Sequence, residues 1–93
     1  MRHELLLKPP ESEKLQGGRV QLKPGERMGE HSTENNEEVI VVISGTATIC
    51  SEHLKQVAMV PADSIFYIPK NTKHIIENDF EDSLVYIYIV TPT

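Results

Sequence analysis

The sequence is poor in the residues that usually stabilise a small secreted domain. It has one cysteine, Cys50, and no tryptophan, and aromatic residues make up only 5% of its 93 positions. A single cysteine cannot form a disulfide within the chain, whereas secreted domains of this size commonly depend on several. The sequence therefore favours a reducing, cytoplasmic environment, and Cys50 is expected to be a small buried apolar residue.

Long apolar runs are lacking as well. The only apolar stretch near the start is Leu5-Leu6-Leu7, which is bounded by Glu4 and Lys8. It is too short for the apolar part of a signal peptide. No segment approaches the roughly 20 apolar residues that a transmembrane helix needs. We therefore expect a protein that does not enter a membrane.

Basic residues are outnumbered by acidic ones. Nine Lys and Arg stand against fourteen Asp and Glu, which gives a formal net charge of -5. The basic residues are scattered, so they form no stripe along which phosphates could bind. Nucleic acid is therefore not expected as a partner.

The sequence does contain many short, β-branched apolar segments bounded by Gly, Pro, Asn or Asp. Such segments are typical of antiparallel strands joined by turns, and neither an amphipathic helix nor an internal repeat accompanies them. Strands are predicted at residues 19–23, 31–33, 39–43, 46–50, 55–60, 65–68, 73–78 and 84–90. About eight or more short antiparallel strands predict an all-β sandwich or barrel.

The predicted organisation is one barrel domain, residues 19–93, preceded by an N-terminal arm, residues 1–18. Pro9-Pro10 prevents regular strand pairing in the arm, although residues 5–7 could add an edge strand. Residues 39–43 are continuously apolar, which predicts a central strand covered on both faces. Residues 84–90 are apolar or aromatic on both faces, more than a lone barrel should expose, so a homodimer is expected.

His31, Glu38 and His74 stand out as candidate metal ligands. They are far apart in sequence, but each lies on or beside a predicted strand, so a barrel could bring them together. Residues two apart on a strand share a face, which groups Glu38 with the apolar Ile40 and Val42. Imidazole and carboxylate suit a divalent first-row metal, and two His plus one Glu with open positions is the set used by non-haem iron oxygenases.

The spacing of these residues resembles the first motif of the cupins, which are small jelly-roll barrels. That motif is a Gly, five residues, His-x-His, three or four residues, Glu, six residues and Gly. Here Gly25, His31, Glu38 and Gly45 stand at those spacings. Thr33 stands where the second histidine is expected.

The second cupin motif is also present in part. It is a Gly, five residues, Pro-x-Gly, two residues, His, three residues and Asn, and Pro69, His74 and Asn78 match it. Its two glycines are replaced by Asp63 and Asn71, the residue types that best tolerate a left-handed backbone after glycine. The resemblance extends over about residues 19–90.

The resemblance implies a cupin jelly-roll β-barrel, usually dimeric, that holds a divalent Fe, Mn, Ni, Zn or Cu ion. The implied metal ligands are His31, Glu38 and His74, with Glu37 as the alternative carboxylate if the register differs. A threonine hydroxyl is a poor ligand, so Thr33 is expected to weaken the metal site and is assigned to substrate binding. No particular reaction is implied, because cupins include dioxygenases, isomerases, decarboxylases and non-catalytic modules.

Two functions stay open at this point. The first is a metal-dependent enzyme, of dioxygenase or isomerase type, that acts on a small polar molecule. The second is a non-catalytic small-ligand-binding module in which Thr33 has emptied the metal site, and which acts through a partner. Isomerisation would need a further acid or base, but His3 and His53 are expected to be surface residues outside the site. The tyrosines Tyr67, Tyr86 and Tyr88 are expected to pack in the core or in an interface.

Overall fold

Residues 1–51 and 55–92 are described by a computed structural model of the chain, and they form nine antiparallel β-strands in two sheets. The first sheet has the order β1-β2-β9-β4-β7 and the second the order β3-β8-β5-β6. The strands are β1 (Arg2–Leu7), β2 (Gln16–Leu22), β3 (Arg27–Ser32), β4 (Asn36–Ser44), β5 (Thr46–Ser51), β6 (Gln56–Pro61), β7 (Ser64–Ile68), β8 (Lys73–Glu77) and β9 (Leu84–Pro92). The architecture is the all-β jelly roll that the sequence predicts. None of these residues belongs to a helix able to cross a membrane.

Each predicted strand has a counterpart in the structure, but the bounds differ. The segment predicted at residues 31–33 is the end of the longer β3, and Thr33 follows that strand rather than lying in it. Residues 5–7 belong to β1, which pairs with β2 at the edge of the first sheet. The predicted hairpin tip at 51–53, which includes His53, lies outside the described residues except for Ser51.

The core lies between the two sheets and consists of the inward-facing residues of their strands. On β4 the inward residues Glu38, Ile40 and Val42 are buried, whereas Val39 and Val41 on the other face are only half-buried. The strand is central, between β9 and β7, but the prediction that both its faces are covered is wrong for the single chain. The buried apolar cluster is Val20, Leu22, Ile40, Val42, Ala47, Ile49, Val60, Ile68, Ile76, Leu84 and Tyr86.

Four turn positions of the two cupin motifs adopt a left-handed backbone. The φ angles are 83° at Gly25, 79° at Gly45, 65° at Asp63 and 56° at Asn71. The tolerance expected of Asp63 and Asn71 is therefore confirmed. Only glycine fits at position 45, because an added Cβ would lie 2.5 Å from the carbonyl oxygen of Ser83.

Asn78 fixes the end of β8 to the rest of the barrel. Its side-chain amide is buried and donates hydrogen bonds to the carbonyl oxygens of Leu22, at 3.0 Å, and Asp82, at 2.8 Å. Its side-chain oxygen accepts a bond from the Phe80 amide at 3.1 Å. Leu22 belongs to β2 of the first sheet, so Asn78 ties the end of β8, in the second sheet, to the first sheet.

Candidate metal centre and ligand cavity

His31 and His74 lie opposite each other on two paired strands of the second sheet. They are direct cross-strand partners in the β3–β8 ladder. Their ring centroids are 4.4 Å apart with an interplanar angle of 68°. His74 is buried, whereas His31 lies at the accessible end of the pair. The sheet thus brings together two imidazoles that are 43 positions apart in the sequence.

A bulge in β3 places His31 opposite His74. Met28 pairs with Ile76, but the register shifts by one residue before His31 pairs with His74. Without that extra residue, the residue before His31 would stand opposite His74, and His31 would point to the other face. The bulge therefore turns the His31 imidazole into the barrel.

Glu38 approaches the two histidines from the opposite sheet. Its side chain is buried, and its Oε1 lies 3.5 Å from the Nε2 of His74. One ligand atom from each of His31, Glu38 and His74 lies within 4.8 Å of the others. Two ligands about 2.1 Å from one ion are about 3.4 Å apart in tetrahedral geometry, so the His74–Glu38 pair already has suitable spacing. His31 is the accessible residue of the three, so its side chain can adjust to bring its ring nitrogen to the same spacing from the other two ligand atoms.

The hydrogen bonding of His74 leaves one ring nitrogen free to bind a cation. Its Nδ1 lies 3.2 Å from the carbonyl oxygen of Thr72, and since a carbonyl can only accept, Nδ1 carries the proton. In the neutral ring Nε2 then has a lone pair, and this atom is buried with no hydrogen-bond partner among the described residues. A metal-ligating histidine usually donates its other ring N–H in this way. The donor set therefore fits a divalent first-row metal.

Burial sets the protonation of the three residues. It raises the pKa of Glu38 to about 7, because the ionised carboxylate loses its hydration. Burial also lowers the pKa of His31 and of His74, and the repulsion of His31 adds to the effect at His74 while the bond to Thr72 opposes it. Neutral imidazoles and a carboxylate with a near-neutral pKa can readily bind a cation.

Thr33 lies near His31 and Glu38, and its hydroxyl is already engaged. Its Oγ1 donates to the carbonyl oxygen of Pro69 at 2.7 Å and accepts from the amide of Thr72 at 3.0 Å. These bonds tie the turn after β3 to the turn before β8, the strand that carries His74. Thr33 stands where the motif has a further histidine, and it links the segment that carries His31 to the segment that carries His74.

A cavity of about 340 Å³ opens beside two of the three residues, His31 and Glu38. Residues of both sheets line it, among them His3, Met28, His31, Thr33, Glu38 and Tyr88. Glu37 points to the outer face of β4 instead, where its carboxylate accepts a hydrogen bond from Tyr67. The structure thus brings His31, Glu38 and His74 together, places Thr33 in the cavity wall with His31 and Glu38, and turns Glu37 away from them.

His3 is a cavity residue that the sequence pattern does not predict. Its ring is exposed, as predicted, and it is not one of the three candidate metal ligands, but it lines the cavity beside them and bonds to Tyr88. The pairing of β1 with β2 brings it there. The sequence around His3 does not predict its place in the cavity, because Pro9-Pro10 interrupts the chain between β1 and β2. Tyr86 is buried and also lines the cavity, whereas Tyr67 lies on the outer face.

Comparison with known families agrees with this geometry. The family described as "Cupin domain" matches residues 18–90, so the chain belongs to the cupin family. A search of curated protein sequences gave no match.

Solved structures share the fold at low sequence identity. A predicted oxalate decarboxylase from Thermotoga maritima superposes with a TM-score of 0.85 at 22% identity, over 98% of this chain and 79% of that one. An uncharacterised protein with a double-stranded β-helix domain from Klebsiella pneumoniae superposes with a TM-score of 0.86 at 16% identity, over 98% of this chain and 76% of that one. The cupin domain of Schizosaccharomyces pombe Cnp3 superposes with a TM-score of 0.84 at 14% identity. The match includes 98% of this chain but only 64% of that one.

Proposed function

We propose that the protein binds one divalent first-row transition metal ion through His31, Glu38 and His74. The observation that carries the proposal is the buried, unpartnered Nε2 of His74 facing the buried carboxyl group of Glu38 at 3.5 Å. Two acceptor atoms this close are stable only with a proton or a cation between them. Fe, Mn, Ni, Zn and Cu all accept imidazole and carboxylate ligands, so the residues define the class of metal rather than one element.

A small polar molecule is the proposed occupant of the adjacent cavity. Three protein ligands leave coordination positions open, and a bound metal would polarise a carbonyl or hydroxyl oxygen placed there. The proposed activity is therefore that of a metal-dependent enzyme of dioxygenase or isomerase type. We further propose that Thr33 contacts the substrate through its methyl group, since its hydroxyl is bonded to the backbone.

A non-catalytic binding module is the second candidate. It is favoured by Thr33, whose engaged hydroxyl cannot supply the coordination bond of a second histidine. In this alternative the cavity holds a small organic ligand without a metal, and the protein acts through a partner.

Metal analysis separates the two candidates. Protein prepared without a histidine tag is expected to carry about one equivalent of a first-row metal, or to take up one equivalent of Zn²⁺ after treatment with a chelator. The His31→Ala variant is expected to lose most of this binding because only two ligands remain. The alternative is supported instead if the wild-type protein stays metal-free while small-molecule binding raises its melting temperature.

We propose the cytoplasm as the location of the protein. The only cysteine, Cys50, is buried in the core, and burial raises the pKa of its thiol, so it is poorly suited to oxidation.

We also propose that the protein is a homodimer that forms through the outer face of β4 and its neighbours, here called the outer β4 face. In the ladders Val39 lies between Tyr67 and Ile89, and Val41 lies between Ile65 and Ile87. Large exposed apolar patches of this kind mark interaction sites. The outer β4 face consists of Val39, Val41, Ile43, Ile65, Tyr67, Ile87 and Ile89.

A second copy of the chain suits this face on grounds of charge. Two copies each carry a net charge of -5, so their association through acidic surfaces would be opposed. On the outer β4 face the strands present apolar side chains, and the carboxylate of Glu37 accepts a hydrogen bond from Tyr67 at 2.7 Å. Self-association there would bury apolar surface with little like-charge repulsion.

Placing a lysine on the outer β4 face is expected to weaken the dimer. Ile65 is 69% exposed, so Ile65→Lys should leave the fold intact but force an ammonium group into the interface. We expect the dimer dissociation constant to rise about tenfold or more by analytical ultracentrifugation. The control is Met59→Lys on β6 of the other sheet, where the side chain is 56% exposed. Equal effects of both variants would rule out the proposed interface.

A further inference from the structure

The side chains of His3 and Tyr88 form a polar pair in the wall of the cavity. His3 Nε2 lies 2.5 Å from the Tyr88 hydroxyl oxygen, and the rings meet edge to face with centroids 5.3 Å apart. Both residues line the cavity that also contains His31 and Glu38. The pair belongs to the first sheet, so it is distinct from the two histidines of the second sheet.

Gly18 creates the space that this pair requires. It stands directly opposite Tyr88 in the β2–β9 ladder. An added Cβ at position 18 would lie 2.7 Å from the Tyr88 hydroxyl oxygen and 2.6 Å from the carbonyl oxygen of Glu4. Without a side chain here, the tyrosine ring crosses β2 and reaches His3 on β1. The contact thus depends on three strands and one glycine, which indicates a built feature rather than a chance approach of two surface groups.

The pair can either donate or accept a hydrogen bond. If the Tyr88 O–H donates to His3 Nε2, the tyrosine oxygen keeps lone pairs for a donor on a ligand. If instead His3 Nε2–H donates, the Tyr88 O–H proton is free for an acceptor. Burial raises the pKa of Tyr88, so its hydroxyl keeps the proton that this exchange needs. Hydroxyl and carbonyl groups are the ligand groups that match such a pair.

The charge of the cavity favours an uncharged ligand. No lysine or arginine is among the described residues that line it. A carboxylate or phosphate would therefore find no fixed positive charge, and in the metal-free protein it would meet the carboxyl group of Glu38.

We propose that His3 and Tyr88 recognise an uncharged molecule that carries a hydroxyl or carbonyl group, and that the other end of this molecule faces His31 and Glu38. The inference rests on the proposed function for the use of the cavity, but it does not require a bound metal. It assigns β1 a role in ligand recognition and identifies His3 and Tyr88 as specificity-determining residues.

The test compares two probes of similar size, neutral hydroxyacetone and anionic lactate, in protein freed of metal by a chelator. The ring-proton NMR signals of His3 and Tyr88 are expected to shift saturably with hydroxyacetone, and lactate is expected to bind at least about tenfold more weakly. Tyr88→Phe and His3→Ala should each weaken hydroxyacetone binding about three- to tenfold, the value of one or two hydrogen bonds. Tyr67→Phe removes a hydroxyl from the outer β4 face and is expected to change nothing.

Several results would overturn the inference. They are the absence of any shift with hydroxyacetone, equal binding of lactate, or equal effects of Tyr67→Phe and Tyr88→Phe. A Tyr88→Phe variant that melts at a lower temperature but binds hydroxyacetone normally would show that the pair only anchors β1. A separate Zn²⁺ titration distinguishes the two proposals, because hydroxyacetone binding without Zn²⁺ binding supports the recognition pair and contradicts the metal site.

Discussion

The His74→Ala variant is expected to bind Zn²⁺ at least about a hundredfold more weakly than the wild-type protein. Loss of a group that only orients a metal ligand costs about 10- to 100-fold in affinity, and this substitution removes the ligand itself. His74 is the most constrained of the three residues, because it is buried and its bond to Thr72 directs Nε2 towards Glu38. Competition against a chromophoric chelator at neutral pH measures the affinities.

His3→Ala is the matched control for this measurement. It removes an imidazole from the wall of the same cavity, but His3 bonds to Tyr88 and does not belong to the group of candidate ligands. Wild-type affinity in His3→Ala together with the loss in His74→Ala would locate the metal between the two sheets. A similar loss in both variants would indicate scattered binding to accessible histidines and would contradict the proposed centre.

Much of the fold and of the candidate site could be predicted because the cupin motifs encode local backbone geometry. Asp63 and Asn71 adopt the left-handed backbone that their residue types tolerate, and Gly45 does so where no side chain would fit. The spacing of six residues to Gly45 also favours Glu38 over Glu37 as the inward carboxylate. Strand periodicity then places Glu38 on the same buried face as Ile40.

Other features could not be predicted because they depend on pairing between distant strands. The bulge that turns His31 towards His74 is a property of the β3–β8 ladder, and the sequence near His31 does not predict it. His3 reaches the cavity only because β1 pairs with β2 and Gly18 lets Tyr88 cross between them. Thr33 departs from the motif in the sequence itself, but its bonds to two turn residues appear only in three dimensions.

The buried carboxyl group of Glu38 is expected to make the metal-free protein less stable as the pH rises. Its pKa is about 7 in the folded protein, against an ordinary value of 4.5, so between these values the folded chain keeps a proton that the unfolded chain has lost. Unfolding then releases a proton, and raising the pH favours it. The contribution of Glu38 is intact below about pH 4.5 and falls by about 3 kcal/mol by the time the pH passes 7.

A comparison with Glu38→Gln isolates this contribution. His31 and His74 act in the opposite direction, because burial lowers the pKa of each and their protonation in acid favours the unfolded chain. They are present in both proteins, so the difference in unfolding free energy between wild type and Glu38→Gln reports chiefly on the carboxyl group. Between pH 4.5 and pH 8, the free energy of unfolding of Glu38→Gln, measured with urea, is expected to rise by about 3 kcal/mol relative to that of the wild type.

Saturating Zn²⁺ should reverse this pH dependence. The ion binds the ionised carboxylate, so the proton that stabilises the metal-free protein at low pH competes with the metal. Wild-type protein with Zn²⁺ is therefore expected to gain stability from pH 5 to 7.5, and Glu38→Gln should gain much less. Glu37→Gln removes one negative charge from the other face of β4 and serves as the control. If the stability of Glu37→Gln with Zn²⁺ depends on pH in the same way as that of Glu38→Gln, the effect arises from net charge and the Glu38 carboxylate is not a ligand.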